Sequence, residues 1–180
     1  RNKIQLNFSN PGTGKTLSCV HAIKTFWPTA RVLVFAPLSI LRPAWGNDIK
    51  FGWPETTIAI ASGTAAKKEK AFAEKAQWTI TNHDTVKTVF QRGWERDFDI
   101  LIIDEADTYR NRNSQRSKAM LGVSRHFDIK NVMTATPTPN TVTDIWHLAM
   151  ICDGGERLGR NFFKFQSQVA NGMPIPGAPM

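Results

Sequence analysis

The stretch IQLNFSNPGTGKT at residues 4–16 decides the fold of this chain. It puts an apolar strand, a Gly-rich turn and the start of a helix in succession, so that backbone N–H groups and the helix dipole point at one phosphate chain. Gly12 and Gly14 permit backbone conformations that side chains disfavour, and Lys15 supplies a matching positive charge. The Thr16 hydroxyl can bind a Mg²⁺ ion that bridges the outer phosphates. We therefore expect a nucleoside-triphosphate site built from Asn10, Pro11, Gly12, Thr13, Gly14, Lys15 and Thr16.

One position of this loop departs from the phosphate-binding pattern G-x-x-x-x-G-K-[ST]. Ser9 stands where the first glycine is usually found, and a serine is tolerated there if the position does not need a positive φ. A chance match outside any nucleotide site is the alternative interpretation. The order of strand, loop and helix favours the phosphate loop over that alternative.

Short apolar runs alternate along the chain with longer amphipathic stretches, which is the pattern of parallel strands joined by crossover helices. The runs ILII and RVLVFA are continuously apolar, so we expect them to form central strands that are buried on both faces. The sequence therefore predicts an α/β fold, with a mainly parallel sheet flanked by helices on both faces. Predicted strands cover 4–8, 32–36, 57–61, 78–81, 100–103 and 132–134, and predicted helices cover 15–25, 40–50, 65–76, 85–92, 115–124 and 142–152.

Two carboxylates follow a predicted central strand in FDILIIDEADTYRN, at residues 98–111. Open α/β sheets bind ligands at the carboxyl ends of their strands, where Asp104 and Glu105 are expected. Asp104 would hold Mg²⁺, and Glu105 would orient or deprotonate the water that attacks the γ-phosphate. The alternative is that these acidic residues only begin a helix, whose positive dipole end favours them. The phosphate loop in the same chain favours the catalytic interpretation.

The composition indicates one globular domain. A chain of 180 residues with 41% hydrophobic residues can bury a single core, and its net charge of +8 favours anionic partners such as nucleic acid. Two distant cysteines indicate neither a disulfide framework nor a zinc site. No apolar run approaches the roughly 20 residues that span a membrane. We expect a soluble cytoplasmic protein that needs no membrane, with a domain at 1–170 that is truncated at both ends and a Pro- and Gly-rich tail or linker at 171–180.

Three further motifs carry a resemblance to a known family. VLVFAPLSILRPAW at 32–45 is similar to the family's motif Ia, and DEADTYRNRNSQRSKAM at 104–120 is similar to its acidic motif with the basic stretch that follows. TATPTPN at 134–140, followed by DIWHL, is similar to its motif III. Together with the phosphate loop, they make the chain resemble the first RecA-like lobe of superfamily-two helicases, specifically the Swi/Snf-like DNA translocases, including phage-encoded members. The resemblance spans nearly the whole chain.

This resemblance implies an ATP-binding motor lobe, in a bacterial or phage-infected host cell, that couples ATP hydrolysis to movement on double-stranded DNA. It implies ATP and Mg²⁺ as cofactors, Lys15 and Glu105 as catalytic residues, and a second RecA-like lobe that supplies arginine fingers. We identify neither an adenine-binding Gln motif nor the second lobe, so an isolated nucleotide- or DNA-binding module with little or no ATPase activity is the alternative. The implied coupling residues are Thr134, Ala135 and Thr136, and the implied DNA contacts are Pro37, Leu38, Ser39, Thr81, Asn82, Arg110 and Asn111.

Other features allow two interpretations each. The TATP stretch that begins at Thr134 links the nucleotide site to DNA by resemblance, or it is only a turn that ends a strand. The six scattered tryptophans indicate packing rather than base stacking. A motor of this kind can also belong to a restriction enzyme with its nuclease domain elsewhere in the gene.

A basic cluster can attract the DNA backbone or form an ordinary solvated helix face; its members are Arg110, Arg112, Arg116 and Lys118.

Overall fold

A computed structural model describes residues 3–9, 12–136 and 141–170. Its strands are β1 (Ile4–Asn7), β2 (Val32–Ala36), β3 (Ile58–Ala61), β4 (Trp78–Asn82), β5 (Ile100–Ile103) and β6 (Ile129–Met133). Its α-helices are α1 (Lys15–Phe26), α2 (Asn47–Gly52), α3 (Ala65–Ala73), α4 (Val86–Arg92), α5 (Gln115–Ser124), α6 (Ile145–Asp153) and α7 (Phe162–Ala170). The six strands pair in parallel in the order β1-β6-β5-β2-β4-β3, which confirms the predicted α/β class.

The central strands separate two hydrophobic layers. Strands β2 and β5 hold the middle positions of the sheet, as their apolar runs predict, and every residue of both is buried. Val32 and Val34 belong to the core shared with α1 and α2, whereas Leu33 and Phe35 belong to the core shared with α3, α4, α5 and α6. A strand with a hydrophobic layer on each side needs apolar residues at every position, because successive side chains point to opposite faces.

The predicted helix at 40–50 is not a single α-helix. The chain forms a 3₁₀ turn at Leu38–Ile40, then one turn of the wider π-helix at Leu41–Gly46, and only then α2. Pro43 lies inside the π-helical turn and has no N–H to donate to the preceding turn, so a regular α-helix does not continue through it.

The carboxyl-terminal third differs from the predicted elements in two places. Strand β6 begins at Ile129 rather than at residue 132, and it ends before Thr134. Lys130 and Asn131 are polar, so a search for apolar runs does not include the start of this strand. Ile129 nevertheless pairs with Ile100 of β5. Helix α7 lies outside every predicted element and packs through Phe165 onto α6. The predicted tail at 171–180 lies outside the described residues.

The parallel sheet brings distant segments to one edge. Asn7 at the end of β1 pairs with Met133 of β6, and Ile103 at the end of β5 pairs with Val132 of β6 and with Phe35 of β2. The phosphate loop, the acidic pair and the residues after β2 and β6 all follow these strand ends, so they lie along the same edge. Among the helices of the described residues, none has the length and apolar character to cross a membrane.

Candidate functional site

The loop between β1 and α1 has the backbone that its glycines predict. Gly12 has φ +77° and Gly14 has φ +74°, and both values lie in the left-handed region that favours glycine. A Cβ atom at either position would meet no other atom within 4 Å, so the requirement is one of backbone conformation rather than space. Ser9 is not among the described non-glycine residues with positive φ. A serine therefore fits where the pattern usually has glycine.

Lys15 is held over this loop. Its Nζ donates a hydrogen bond of 2.7 Å to the carbonyl oxygen of Ser9, while the backbone of α1 begins at Lys15 itself. Thr16 follows in the first helical turn and is half-buried, and Thr13 is exposed. The described residues Gly12, Thr13 and Gly14 thus lead directly into the amino-terminal end of α1, where N–H groups have no partner within the helix. The predicted phosphate contacts Asn10 and Pro11 lie outside the described residues.

The Asp104 carboxylate is fixed by two hydrogen bonds at the end of β5. Its Oδ1 accepts from the backbone N–H of Glu105 at 3.0 Å, and its Oδ2 accepts from the indole Nε1 of Trp45 at 3.0 Å. The Asp104 N–H donates to the carbonyl of Phe35 at 2.8 Å, which continues the pairing of β5 with β2 beyond the last strand residue. Each carboxylate oxygen keeps a lone pair for another ligand, because a carboxylate offers about four acceptor sites.

Glu105 has an unusual backbone and an altered acidity. Its φ of +48° lies in the left-handed region, and its side chain is exposed at the sheet edge. The small degree to which the protein shields the Glu105 carboxyl from water raises its pKa, the negative charges of Asp104 and Asp107 raise it further, and the positive charge of Lys15 opposes them. The strand end before the phosphate loop and the strand end before the acidic pair both pair with β6, at Met133 and Val132, so the two motifs lie near each other.

The oxygen groups at this edge fit a magnesium ion. Mg²⁺ prefers oxygen ligands and usually binds through one or two carboxylates, with phosphate oxygens and water completing its shell. Asp104 offers a carboxylate whose orientation is fixed, and Thr16 offers a hydroxyl at the start of α1. The two residues are far apart in sequence, and each is predicted to bind Mg²⁺ from its own motif, the phosphate loop for Thr16 and the acidic pair for Asp104.

The residues after β6 form hydrogen bonds to the strand before the phosphate loop and to the loop after the acidic pair. Thr134 is buried, and its N–H donates at 3.0 Å to the carbonyl of Asn7, the last residue of β1. The Thr134 hydroxyl accepts from the N–H of Thr136 at 3.2 Å. The guanidinium of Arg110 donates to the carbonyl and hydroxyl oxygens of Thr136, and it lies 3.6 Å from the carboxylate of Asp107. Ala135 lies between the two threonines and is half-buried.

The predicted DNA contacts fall into two groups. Pro37 is half-buried, Leu38 is 63% exposed and Ser39 is exposed, so this turn is accessible. Thr81 is 0% exposed, and its hydroxyl donates to the carbonyl of Ala61 at 2.8 Å, which leaves its side chain no surface for DNA.

Asn82 and the basic cluster are also largely engaged within the protein. Asn82 is buried and accepts a hydrogen bond from the hydroxyl of Thr85. Arg112 stacks over the Phe162 ring of α7 at 4.0 Å, and Arg116 pairs with Asp84. Lys118 and Asn111 are exposed. The basic cluster is therefore not the simple solvated helix face that its spacing allows, since its arginines join segments of the fold.

Three contacts near the edge have no signal in the sequence. Trp45 is fully buried, as predicted for a packing residue, but it also binds Asp104. His83 and Tyr109 share a buried hydrogen bond of 2.9 Å, and burial together with the charge of Arg116 lowers the pKa of His83 to about 4. Cys19 of α1 accepts from the amide of Asn131, and burial raises the pKa of its thiol to about 11. Each contact joins residues that only the folded chain brings together.

Comparison with known proteins identifies relatives of this chain. The model of the SNF2-related domain matches residues 7–164. Protein p41 of Acyrthosiphon pisum secondary endosymbiont phage 1 is 27% identical over 180 residues, which cover 92% of this chain and 39% of that protein. Lymphoid-specific helicase of Homo sapiens is 27% identical over 150 residues, which cover 76% of this chain and 17% of that protein. The chain thus spans well under half the length of either relative.

A solved structure shares the fold. The Sulfolobus solfataricus SWI2/SNF2 ATPase core in complex with dsDNA matches with a TM-score of 0.76 and 21% identity, and the match covers 95% of this chain and 36% of that one. The six-stranded parallel sheet with helices on both faces is therefore the arrangement of a RecA-like lobe.

Proposed function

Because this chain belongs to the family of SNF2-related domains, we propose that it is the ATP-binding motor lobe of a DNA-dependent ATPase that couples ATP hydrolysis to movement on DNA. The observation that carries the proposal is the meeting of two groups at one sheet edge. Lys15 lies over the loop that follows β1, Glu105 lies beside the oriented carboxylate of Asp104 after β5, and the ends of both strands pair with β6. These are the groups that phosphoryl transfer to water requires.

Each residue of the nucleotide site has a distinct task in this proposal. The N–H groups of residues 10–16 bind the phosphates, and the ammonium of Lys15 neutralises their charge. Thr16 and Asp104 would hold Mg²⁺, which would supply charge neutralisation for the phosphates. Glu105 orients the attacking water and accepts its proton. Its exposed position at the sheet edge leaves the carboxylate accessible to that water.

DNA is the second proposed ligand. Leu38 and Ser39 present an exposed turn at the edge that also carries the nucleotide site, and Asn111 lies exposed on the loop after the acidic pair. The relatives include proteins described as helicases and a structure described as a complex with dsDNA. Contacts of this kind are made mainly to phosphates, so we expect binding to weaken steeply with salt. A second RecA-like lobe in a longer protein is part of the proposal, and so is a cytoplasmic location.

Coupling between the two ligands would run through the residues after β6. Thr134 is bonded to the strand before the phosphate loop, and Thr136 is bonded to Arg110 on the loop after the acidic pair. Asp107 holds the same guanidinium from within the acidic motif. A shift of either motif therefore displaces the other through Arg110, and this favours a coupling role for Arg110 over direct contact with DNA.

Replacement of Arg110 with Ala tests that role. The ratio of ATPase rates at saturating DNA and without DNA should fall about 2- to 30-fold, because coupling residues typically contribute about 0.5–2 kcal/mol. Lys118→Ala is the matched control, since it removes one exposed positive charge without touching Thr136. If R110A weakens DNA affinity but keeps the full stimulation once DNA is saturating, Arg110 contacts DNA and does not couple the motifs.

The proposed function is tested by ATP hydrolysis in the full-length protein with and without double-stranded DNA. Wild-type protein should be stimulated by DNA, and Lys15→Ala should lose about 10²-fold or more in kcat/KM, because it removes the ammonium group that would stabilise the negative charge of the transferring phosphate. Binding of Mg-ATP and DNA without turnover, in a protein that contains both lobes, would instead favour the nucleotide- and DNA-binding module. Unchanged turnover in K15A contradicts the proposed site.

A further inference from the structure

Trp45 contributes a buried donor to the proposed metal site. It lies in the π-helical turn Leu41–Gly46, which follows the exposed turn at Leu38–Ile40. Its side chain is 0% exposed and packs in the core between the sheet and helices α1 and α2. Only its indole N–H reaches the edge of the sheet, where it donates to Oδ2 of Asp104 at 3.0 Å. Single π-helical turns are frequent at functional sites.

Packing alone does not account for this hydrogen bond. Trp78 is also 0% exposed and lies in the same core cluster, but its indole nitrogen has no hydrogen-bond partner among the described residues. The fold thus tolerates the buried indole N–H of Trp78 without an acceptor among the described residues, whereas it directs the indole N–H of Trp45 at the carboxylate of Asp104. Hydrogen bonds to charged groups are roughly twice as strong as neutral ones.

The bond from Trp45 defines the plane of the Asp104 carboxylate. Oδ1 accepts from the Glu105 N–H and Oδ2 accepts from the indole, so the carboxylate group cannot rotate without breaking a hydrogen bond. The remaining lone pairs therefore keep one direction. Groups that orient a metal ligand in this way commonly contribute 10- to 100-fold, in order of magnitude, to metal affinity.

We propose that Trp45 is a positioning residue for the metal-binding carboxylate of Asp104, which it orients through its indole N–H without touching nucleotide or metal. The inference rests on the proposed function for its assignment of Asp104 to Mg²⁺. It adds to the site a residue from the segment after β2, which by resemblance carries only DNA contacts.

The chain offers a matched pair of variants. Trp45→Phe and Trp78→Phe each remove part of a fully buried indole ring, but only the first removes a hydrogen bond to Asp104. In the full-length protein with ADP present, Mn²⁺ affinity measured by electron paramagnetic resonance should fall about 10- to 100-fold in W45F. It should stay within about two-fold of wild type in W78F. The Mg²⁺ concentration for half-maximal ATPase activity should rise in W45F by a similar factor.

Two outcomes would overturn the inference and can be separated from failure of the proposed function. If wild-type protein hydrolyses ATP but W45F and W78F bind Mn²⁺ equally well, Trp45 only fills space. Should W45F not fold, wild-type protein with ¹⁵N-labelled indoles decides the question. Addition of Mg-ADP should move the Trp45 indole cross-peak and leave that of Trp78 in place, and a stationary Trp45 cross-peak contradicts the role. Absence of any ATPase activity in the wild type counts against the proposed function instead.

Discussion

Replacement of Glu105 with Gln is expected to lower the DNA-stimulated kcat for ATP hydrolysis by about 10²- to 10⁴-fold, the usual contribution of a positioned general base. Gln keeps the shape of the side chain and the backbone at φ +48°, so the loss is confined to the proton-accepting group. The affinity for Mg-ATP should change little, because Lys15, Thr16 and Asp104 are untouched. Single-turnover kinetics and nucleotide titration measure the two quantities separately.

A matched control for this variant is Glu69→Gln. Glu69 is exposed, and its carboxylate lies 3.9 Å from the guanidinium of Arg92 in a surface ion pair. Neither residue belongs to the acidic motif. Its loss should leave kcat within about two-fold of wild type, because exposed ion pairs contribute little. If E105Q retained most of the wild-type kcat, Glu105 would not be the base, and the attacking water would be activated by another group.

Replacement of Leu33 with Ala should lower the free energy of unfolding by about 2–5 kcal/mol, which is the range for truncating a buried leucine. Leu33 is fully buried in the central strand β2 and packs in the larger core with Phe35 and Leu101. Neither face of β2 is open to solvent, so the surrounding side chains have little room to fill the cavity. Urea unfolding followed by circular dichroism measures the change.

Leu38→Ala is the comparison for this prediction, since it makes the same chemical change just beyond the same strand. Leu38 is 63% exposed, so its truncation should cost less than about 0.5 kcal/mol. In the proposed function the same variant should weaken DNA binding. Equal loss of stability in L33A and L38A would mean that β2 is not the central, doubly covered strand.

The phosphate loop and the central strands are predictable from the sequence because their signals are local. Gly12 and Gly14 supply backbone freedom within a few residues of Lys15, and the structure gives both glycines positive φ. The apolar runs of β2 and β5 predict burial on both faces, and both strands are buried in the middle of the sheet. Such patterns need no knowledge of which distant residues meet.

Local patterns failed where the backbone or the partner depends on context. Pro43 keeps the first part of the predicted helix at 40–50 from being a regular α-helix, so a π-helical turn stands there and the α-helix begins only at Asn47. Lys130 and Asn131 look polar in sequence, yet they continue β6 because the neighbouring strands supply hydrogen-bond partners. Thr81, which the resemblance implies as a DNA contact, has a completely buried side chain that only the assembled sheet could reveal.

The order of glycines, apolar runs and acidic residues along the chain was thus sufficient to predict a phosphate loop on a parallel sheet and a pair of carboxylates at the carboxyl ends of the strands. Only the tertiary structure decided that Trp45 donates to Asp104 and that Arg110 binds Thr136. The physical reason is distance along the chain. A hydrogen bond between residues far apart in sequence depends on strand order, register and burial together, and these arise only when the whole sheet assembles.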